Sequence, residues 1–381
     1  HPHDIYSPSE PWTIRIKQIG HEFVKAGHTV TLVYFPLDPQ QIGKETDYNG
    51  VRVIALDRRV GLHRLFRNIG ILAQLARTCN IVHFQKYHYY CSIPAMIAAL
   101  ICGTPIHYDW DDWETKIWYF SNPKNHFVGG FIDLFEKILP RIANTVSVSG
   151  RHVRQLCLHE GVKAENIFAA PVGANLEAFH PDSHMNGTIK TKFGIGHSLV
   201  LYLGQLHGGQ YVELFIKAIP QVIVKRPDVT FMIVGDGYRR QELEMLARDL
   251  GVLQHLIFTG TVPHDDIPYY IGDADVCVAC FEENDITRCK SPLKIAEYMA
   301  SGKAVVASCV GEVRNMLGGL GILTEPGDPR SLAEGIVRLL ADRALRERLR
   351  FKTRQRVEQR YNWRVTARNI LNAYQCLSGR K

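Results

Sequence analysis

The stretch SPLKIAEYMASGKAVVAS at 291–308 places a helix directly before a strand. Ser291 suits an N-cap and Pro292 the first helical position. Apolar residues then recur at helical spacing for about three turns, and Gly302 supplies the stop. AVVAS (304–308) is a short, continuous, β-branched run, the signature of a strand covered on both faces. The N-terminus of such a helix offers free backbone N–H groups and the positive end of a dipole. Lys294 falls in the first turn, Arg288 and Lys290 lie just before it, and Glu297 follows Lys294 on a neighbouring position of one face. Amides and cations suit a phosphate, and a carboxylate one turn deeper suits sugar hydroxyls. The plainer alternative is a capped surface helix with an ordinary Lys–Glu pair.

Outward from this stretch, strand-like runs alternate with helical patterns along the chain. In the first half they are 30–35, 51–56, 81–84, 105–110, 145–149 and 167–172, with amphipathic stretches at 12–26, 91–101 and 126–139. The segment 173–196, rich in Gly, Pro, Asn and His, reads as an interdomain linker. The rhythm restarts at 199–204, 230–235, 256–260, 275–280, 304–308 and 321–326, and 329–376 is helical throughout. The expected fold is α/β, with two doubly wound Rossmann-like domains in tandem. Ligands in such sheets bind beyond the carboxyl ends of the strands, so two domains facing each other would form a cleft. Because the first domain opens on a loop rather than a strand, and on His1 rather than Met, a first strand upstream of His1 is expected.

Composition narrows the class. With 381 residues, 46% hydrophobic and 22% charged, the chain reads as a soluble globular protein of two domains. No apolar run is long enough to span a membrane, and no secretory leader is read. The net charge of +7 suits anionic substrates or an anionic membrane surface and does not call for nucleic acid. Nine scattered cysteines point to a reducing cytoplasm rather than a disulfide framework. Cys277 and Cys280 lie in a strand, where residues three apart face opposite sides, so packing is expected rather than zinc.

The order of segments resembles the retaining glycosyltransferases of the GT-B fold, family 4 (glycosyl transferases group 1). SPLKIAEYMASGKAVVAS is similar to that family's nucleotide-sugar motif. AGHTVTLV (26–33), IVHF (81–84), PVGANLEAFHP (171–181), MIVGDG (232–237), IFTGTV (257–262), DADVCVACF (273–281) and RYNWRVTARNILNAYQ (360–375) resemble its other landmarks in order. The resemblance implies an acceptor domain at 1–174, a nucleotide-sugar domain at 175–355, and a C-terminal helix at 356–381 crossing back to the first domain. It implies Glu297 on the ribose and the Ser291, Pro292 and Leu293 segment on the diphosphate. The loop from Gly204 and Gln205 also faces the phosphates, and Gly260 to Val262 lies near the base. Transfer would proceed with retention, the donor's leaving phosphate taking the acceptor proton, with no metal and no cofactor beyond the nucleotide-sugar co-substrate.

Three positions depart from the family pattern. Cys289 stands where a first glutamate is common, and Glu282, Glu283 and Asp285 just upstream are the substitutes for its carboxylate. Gln205 and Gly209 or Gln210 replace two phosphate-binding cations, a loss that Arg288 and Lys290 would make good. Asp111, followed by Asp112, takes the place of a histidine near the sugar. The expected catalytic carboxylates are thus Asp111, Asp112 and Glu282, and the acceptor contacts are Lys86, Tyr87 and His88 behind the third strand of the first domain.

Other patterns carry less. DWD (109–111) matches a metal-holding D-x-D, but tandem domains contradict the fold that uses it. VGDGYRR (234–240) lacks the third glycine of a dinucleotide fingerprint, and GQLHGGQ (204–210) lacks the ending of a P-loop. LDRRVGLHRLFRNIG (56–70) reads as a basic amphipathic helix suited to an anionic membrane, or as a solvated helix packed on the sheet. The expectation is therefore a cytoplasmic glycosyltransferase acting on a glycan or lipid-linked acceptor, peripheral at the inner face of the membrane. The alternatives are a non-catalytic GT-B nucleotide-sugar-binding protein and a GT-B epimerase or hydrolase.

Overall fold

Each of the apolar runs named above forms a strand. The computed structural model describes residues 1–7, 10–181 and 187–378. The chain divides into two units, His1–Val172 with Trp363–Lys381, and Gly173–Asn362.

Unit 1 opens on α1 (Ile14–Lys25) and β1 (Thr31–Tyr34), followed by β2 (Glu45–Tyr48), β3 (Val51–Ala55) and α2 (Leu62–Ala76). It continues through β4 (Val82–Gln85), α3 (Ser92–Cys102), β5 (Ile106–Trp110), α4 (Glu114–Ser121) and α5 (His126–Ile142). β6 (Thr145–Val148), α6 (Arg151–His159) and β7 (Ile167–Ala169) complete it. Its strands form two sheets, β1-β3-β2 and the all-parallel β4-β5-β6-β7. β2 escapes the apolar-run reading because it is a polar edge strand, exposed along most of its length. Its signal is the Asn49-Gly50 turn, where both residues take positive φ (52° and 83°) before the antiparallel return into β3.

Unit 2 runs through α7 (Thr188–Lys192), β8 (Ser198–Leu203), α8 (Val212–Lys225), β9 (Val229–Val234), α9 (Arg240–Asp249) and β10 (Leu256–Phe258). Then come α10 (Ile267–Asp273), β11 (Val276–Ala279), α11 (Asp285–Cys289), α12 (Leu293–Ala300) and β12 (Ala304–Ser308). α13 (Val313–Leu317), β13 (Ile322–Thr324), α14 (Pro329–Ala341) and α15 (Arg343–Arg360) follow. The sheet is parallel, in the order β10-β9-β8-β11-β12-β13, and its β-branched central strands are fully buried, which is why they read as continuous apolar runs.

The stretch 173–196 is not a free linker. Phe179, Ile189 and Ile195 are buried, and the Asp273 carboxylate accepts from the N–H groups of Gly187, Ile189 and Lys190 at the start of α7. Residues 182–186 of that expected linker lie outside the described residues.

The last helix, α16 (Trp363–Ser378), belongs to unit 1. Thr366 and Asn369 donate to the carbonyls of Pro171 and Ala169, and Tyr374 meets His83 Nδ1 at 2.5 Å. Beneath it, the Arg15 guanidinium clasps Asp109 through two bonds of 2.8 Å, and Ser147 donates to the same carboxylate. This pair is fully buried, so the Asp109 of the D-x-D pattern serves to hold α1 on the sheet.

Candidate functional site

In unit 2 the site grows from α12. Ser291 is not the N-cap: Pro292 holds that place, no side chain caps the helix, and the Ser291 hydroxyl turns toward Met316 Sδ. With its missing N–H, Pro292 needs no partner there. The helix spans eight residues, shorter than the periodicity implied, because the extended Pro292 stands before it rather than in its first turn; at its far end Gly302, at φ 67°, lets the N–H groups of Gly302 and Lys303 close on Met299 and Tyr298 as expected. Tyr298 fixes its depth, accepting from Leu203 N–H (2.9 Å) and donating to Val278 O (3.4 Å) at the ends of β8 and β11.

This depth sets the charged groups. Glu297 is 3% exposed. Burial raises its carboxyl, opposed by His264, whose Nε2 lies 3.7 Å from Oε1, and by Lys294. Lys294 is half-buried, its ammonium 3.3 Å from the Tyr202 hydroxyl and 4.3 Å from that ring's centre. Burial lowers it to about 7, with the neighbouring Lys290 adding to the effect. Lys290 in turn donates to Gly209 O at 2.7 Å, so a cation from the segment before α12 occupies the loop that lacks its own. Gly204 sits against this charge: a Cβ there would lie 2.8 Å from Lys294 Nζ. The loops behind β8 and β9 pack backbone to backbone, Leu206 N–H on Asp236 O and Arg239 N–H on Leu206 O, and a Cβ on Gly237 would fall 2.4 Å from Leu206 O. The glycines of VGDG serve that close approach.

The remaining expected donor residues spread around this core. Gln205 Oε1 meets His207 Nε2 at 3.0 Å, Gly260 O accepts from Gly235 N–H, and Val262 is half-buried two residues before His264. Leu293 opens α12. Arg288 is drawn instead to Glu283 (3.2 Å) and Asp285 (3.8 Å) at the surface of α11. Asn284 caps that short helix and also donates to the hydroxyl of Tyr211, a left-handed residue at φ 55°. Glu282 is exposed in the same segment. Cys289 is buried, as are Cys277 and Cys280, and burial pushes the last two thiols up to about 12.

Unit 1 holds a second constellation behind β4 and β5. Lys86 takes the left-handed conformation (φ 61°), a strained choice for a non-glycine residue. Its buried ammonium lies 2.7 Å from Glu114, 3.2 Å from Asp112 and 3.6 Å from Asp111. Burial alone would lower it, but Asp111, Glu114 and Asp112 outweigh this and raise it well above the ordinary lysine range. Asp111 accepts from Gln85 (2.8 Å), and burial pushes its carboxyl up to about 7 against the pull of Lys86. The three carboxylates are close enough together for a metal, yet Lys86 already occupies their focus. Tyr87 stacks on Phe135 (5.3 Å), and the half-buried His88 lies between His3 and Tyr90. The geometry thus joins Lys86 to Asp111 and Asp112, adds Glu114, and leaves His88 packed among rings. His264, Tyr202 and Glu114 are the residues the sequence did not single out.

The basic helix expected at 56–70 begins only at Leu62. Arg59 and Arg64 pair with Asp57 ahead of it, and Leu62 and Phe66 face solvent at 73% and 67% exposure.

Two doubly wound units, the second with a helix N-terminus, a half-buried Lys and a buried Glu behind its strand ends, define a GT-B glycosyltransferase architecture. Residues 13–173 match the glycosyl transferase 4-like domain and 197–342 match the glycosyl transferases group 1 domain, so the chain belongs to the group 1 glycosyl transferases. It is similar to the phosphatidyl-myo-inositol mannosyltransferase of Mycobacterium tuberculosis H37Rv, 30% identical over 262 residues, 66% of this chain and 64% of that one. It also resembles the alpha-D-kanosaminyltransferase of Streptomyces kanamyceticus, 31% identical over 166 residues, 42% of this chain and 41% of the other. The chain thus spans less than two-thirds of either relative. Among solved structures, Anabaena HepE in complex with UDP and glucose matches with a TM-score of 0.78 at 18% identity, over 99% of this chain and 98% of that one. The Rickettsia africae glycosyltransferase matches at 0.76 and 15% identity, over 100% and 98%. Both likenesses are of fold.

Proposed function

We propose that the chain is a retaining, metal-independent glycosyltransferase. It would move a sugar from a nucleoside-diphosphate donor held by unit 2 to a hydroxyl of a glycan or lipid-linked acceptor engaged by unit 1. The carrying observation is the placement of the half-buried Lys294 and the buried Glu297 one turn apart on α12, beside its N-terminus and the 204–210 loop that Lys290 reaches. In this reading Lys290, Lys294 and the first-turn amides hold the diphosphate and stabilise charge as it develops on the leaving oxygen. Glu297 accepts from ribose hydroxyls. The acceptor oxygen bonds to the anomeric carbon as the bond to the phosphate oxygen breaks, and that oxygen takes the acceptor proton. Asp111, pushed up to about 7, and Asp112 orient hydroxyls. Charge neutralisation on the diphosphate rests on Lys290 and Lys294, which is why no metal is invoked. HepE was solved with UDP and glucose and the mycobacterial relative is a mannosyltransferase, so glucosyl and mannosyl donors are the first to try. The cationic segment around α2 supports work at the cytoplasmic face of a membrane.

The test is incubation with UDP-glucose and with GDP-mannose, with and without a bacterial lipid extract and in the presence of EDTA. Release of nucleoside diphosphate that needs the extract and survives EDTA is the expected result. Release without extract would mark a hydrolase, and no release with any donor would mark a binding protein.

A further inference from the structure

Outside both constellations, α5 is apolar on two faces. One is buried through Ile132 and Leu139. The other presents Phe127, Phe131 and Leu134 to solvent, with exposures of 80%, 49% and 51%. These positions repeat at helical spacing, so they form one stripe. Phe131 also stacks toward Phe135, and Phe135 on Tyr87, so rings run unbroken from solvent to the loop behind β4. α4 adds Phe120 at 49% and the half-buried Trp118 and Tyr119. An apolar stripe of this length on a single unit implies a partner.

Charge identifies it. Between 113 and 142 the carboxylates are spent: Glu114 on Lys86, Asp133 on Lys137 (2.6 Å), and Glu136 on Trp110, Thr115 and the Glu114 N–H. Lys116 lies over the Trp113 ring (4.9 Å), and Lys124, three residues before Phe127 in the chain, is exposed. The same loop behind β4 reaches α2, since the Asn68 side chain of that helix donates to Tyr90 O (3.4 Å), and α2 repeats the pattern with Leu62, Phe66 and its arginines. Aromatic rings with lysines beside them are the composition of a bilayer interface, where rings insert and ammonium groups stay at the headgroups. A second copy of this face would set like charges against like.

We propose that the exposed face of α5, through Phe127, Phe131 and Leu134, seats unit 1 on an anionic lipid bilayer. This rests on the reading of a lipid-linked acceptor and assigns the docking surface to α5 in addition to α2.

The test is flotation of the full chain with vesicles of phosphatidylcholine alone and of phosphatidylcholine mixed with phosphatidylglycerol. Wild type, Phe127→Ser with Phe131→Ser, and Leu62→Ser with Phe66→Ser are compared, with melting curves as the folding control and Phe127→Ser alone as a milder variant. Wild type is expected to float with the anionic vesicles only, and the α5 variants to lose on the order of tenfold in partitioning. Full retention by the α5 variants with loss in the α2 variant would overturn the assignment to α5 while the membrane reading stands. Wild type that floats with neither vesicle would overturn the proposal, and donor turnover, measured separately, would show whether the enzyme reading survives. Concentration-dependent dimers in light scattering, abolished by the α5 variants, would give the face to a second copy and overturn it as well.

Discussion

Lys294 and Glu297 lie one turn apart on α12, yet no ion pair joins them. Each is left with a weak neutral partner or a distant histidine, an arrangement that costs stability unless a ligand completes it. For Lys294 this sets the pH dependence of binding. The empty site releases its proton near pH 7, whereas a bound diphosphate favours the ammonium and raises that value. Below about 7 the lysine is charged in both states, and affinity should be flat on this account. Above it, binding must take up a proton, so affinity should fall by up to roughly tenfold per pH unit. Lys294→Met should be weaker and should flatten the slope, as read by calorimetric titration across pH. Glu297 was legible in the sequence because its motif is local. His264 was not, because it reaches Glu297 from the segment after β10.

At the scale of elements, the paired loops behind β8 and β9 are the stiffest constraint on the site. Gly237→Ala would thrust a methyl group into Leu206 O, which is backbone and cannot swing away. A stability loss of about 1–3 kcal/mol is expected, together with weakened nucleotide binding, measured by urea unfolding and titration of the same variant. In unit 1 the Arg15–Asp109 pair fastens α1 to β5. Arg15→Met leaves a buried carboxylate unpaired and should cost about 3–5 kcal/mol in urea unfolding at neutral pH. Arg15 holds the Asp109 carboxyl well below its usual range, so the pair's contribution is present above the unfolded value near 4 and is lost as pH falls further. The gap between wild type and variant should therefore shrink on strong acidification. The strands were legible because buried parallel strands are continuous apolar runs. β2 was missed because it is polar, and the exposed stripe of α5 because periodicity cannot say which of two apolar faces finds the sheet.

For the whole molecule, the order of weak motifs along the chain carried the fold and the family, each motif marking a strand end. The chemistry was less legible. The cluster around Lys86 depends on a left-handed residue behind β4 meeting carboxylates from behind β5, and no spacing rule joins 86 to 111, 112 and 114. The family's loop cations at 205 and 209 or 210 were read as absent, but the Lys290 contact to Gly209 shows charge returning to that loop from a later segment. If the donor reading holds, this substituted site still binds a nucleoside diphosphate. Calorimetric titration of UDP and of GDP, without metal, into the wild-type chain and into Glu297→Ala tests it most directly. One nucleotide should bind, and the variant should lose on the order of tenfold or more in affinity, the worth of a hydrogen bond to a charged group. Heat that is absent for both nucleotides, or identical in wild type and variant, would contradict it.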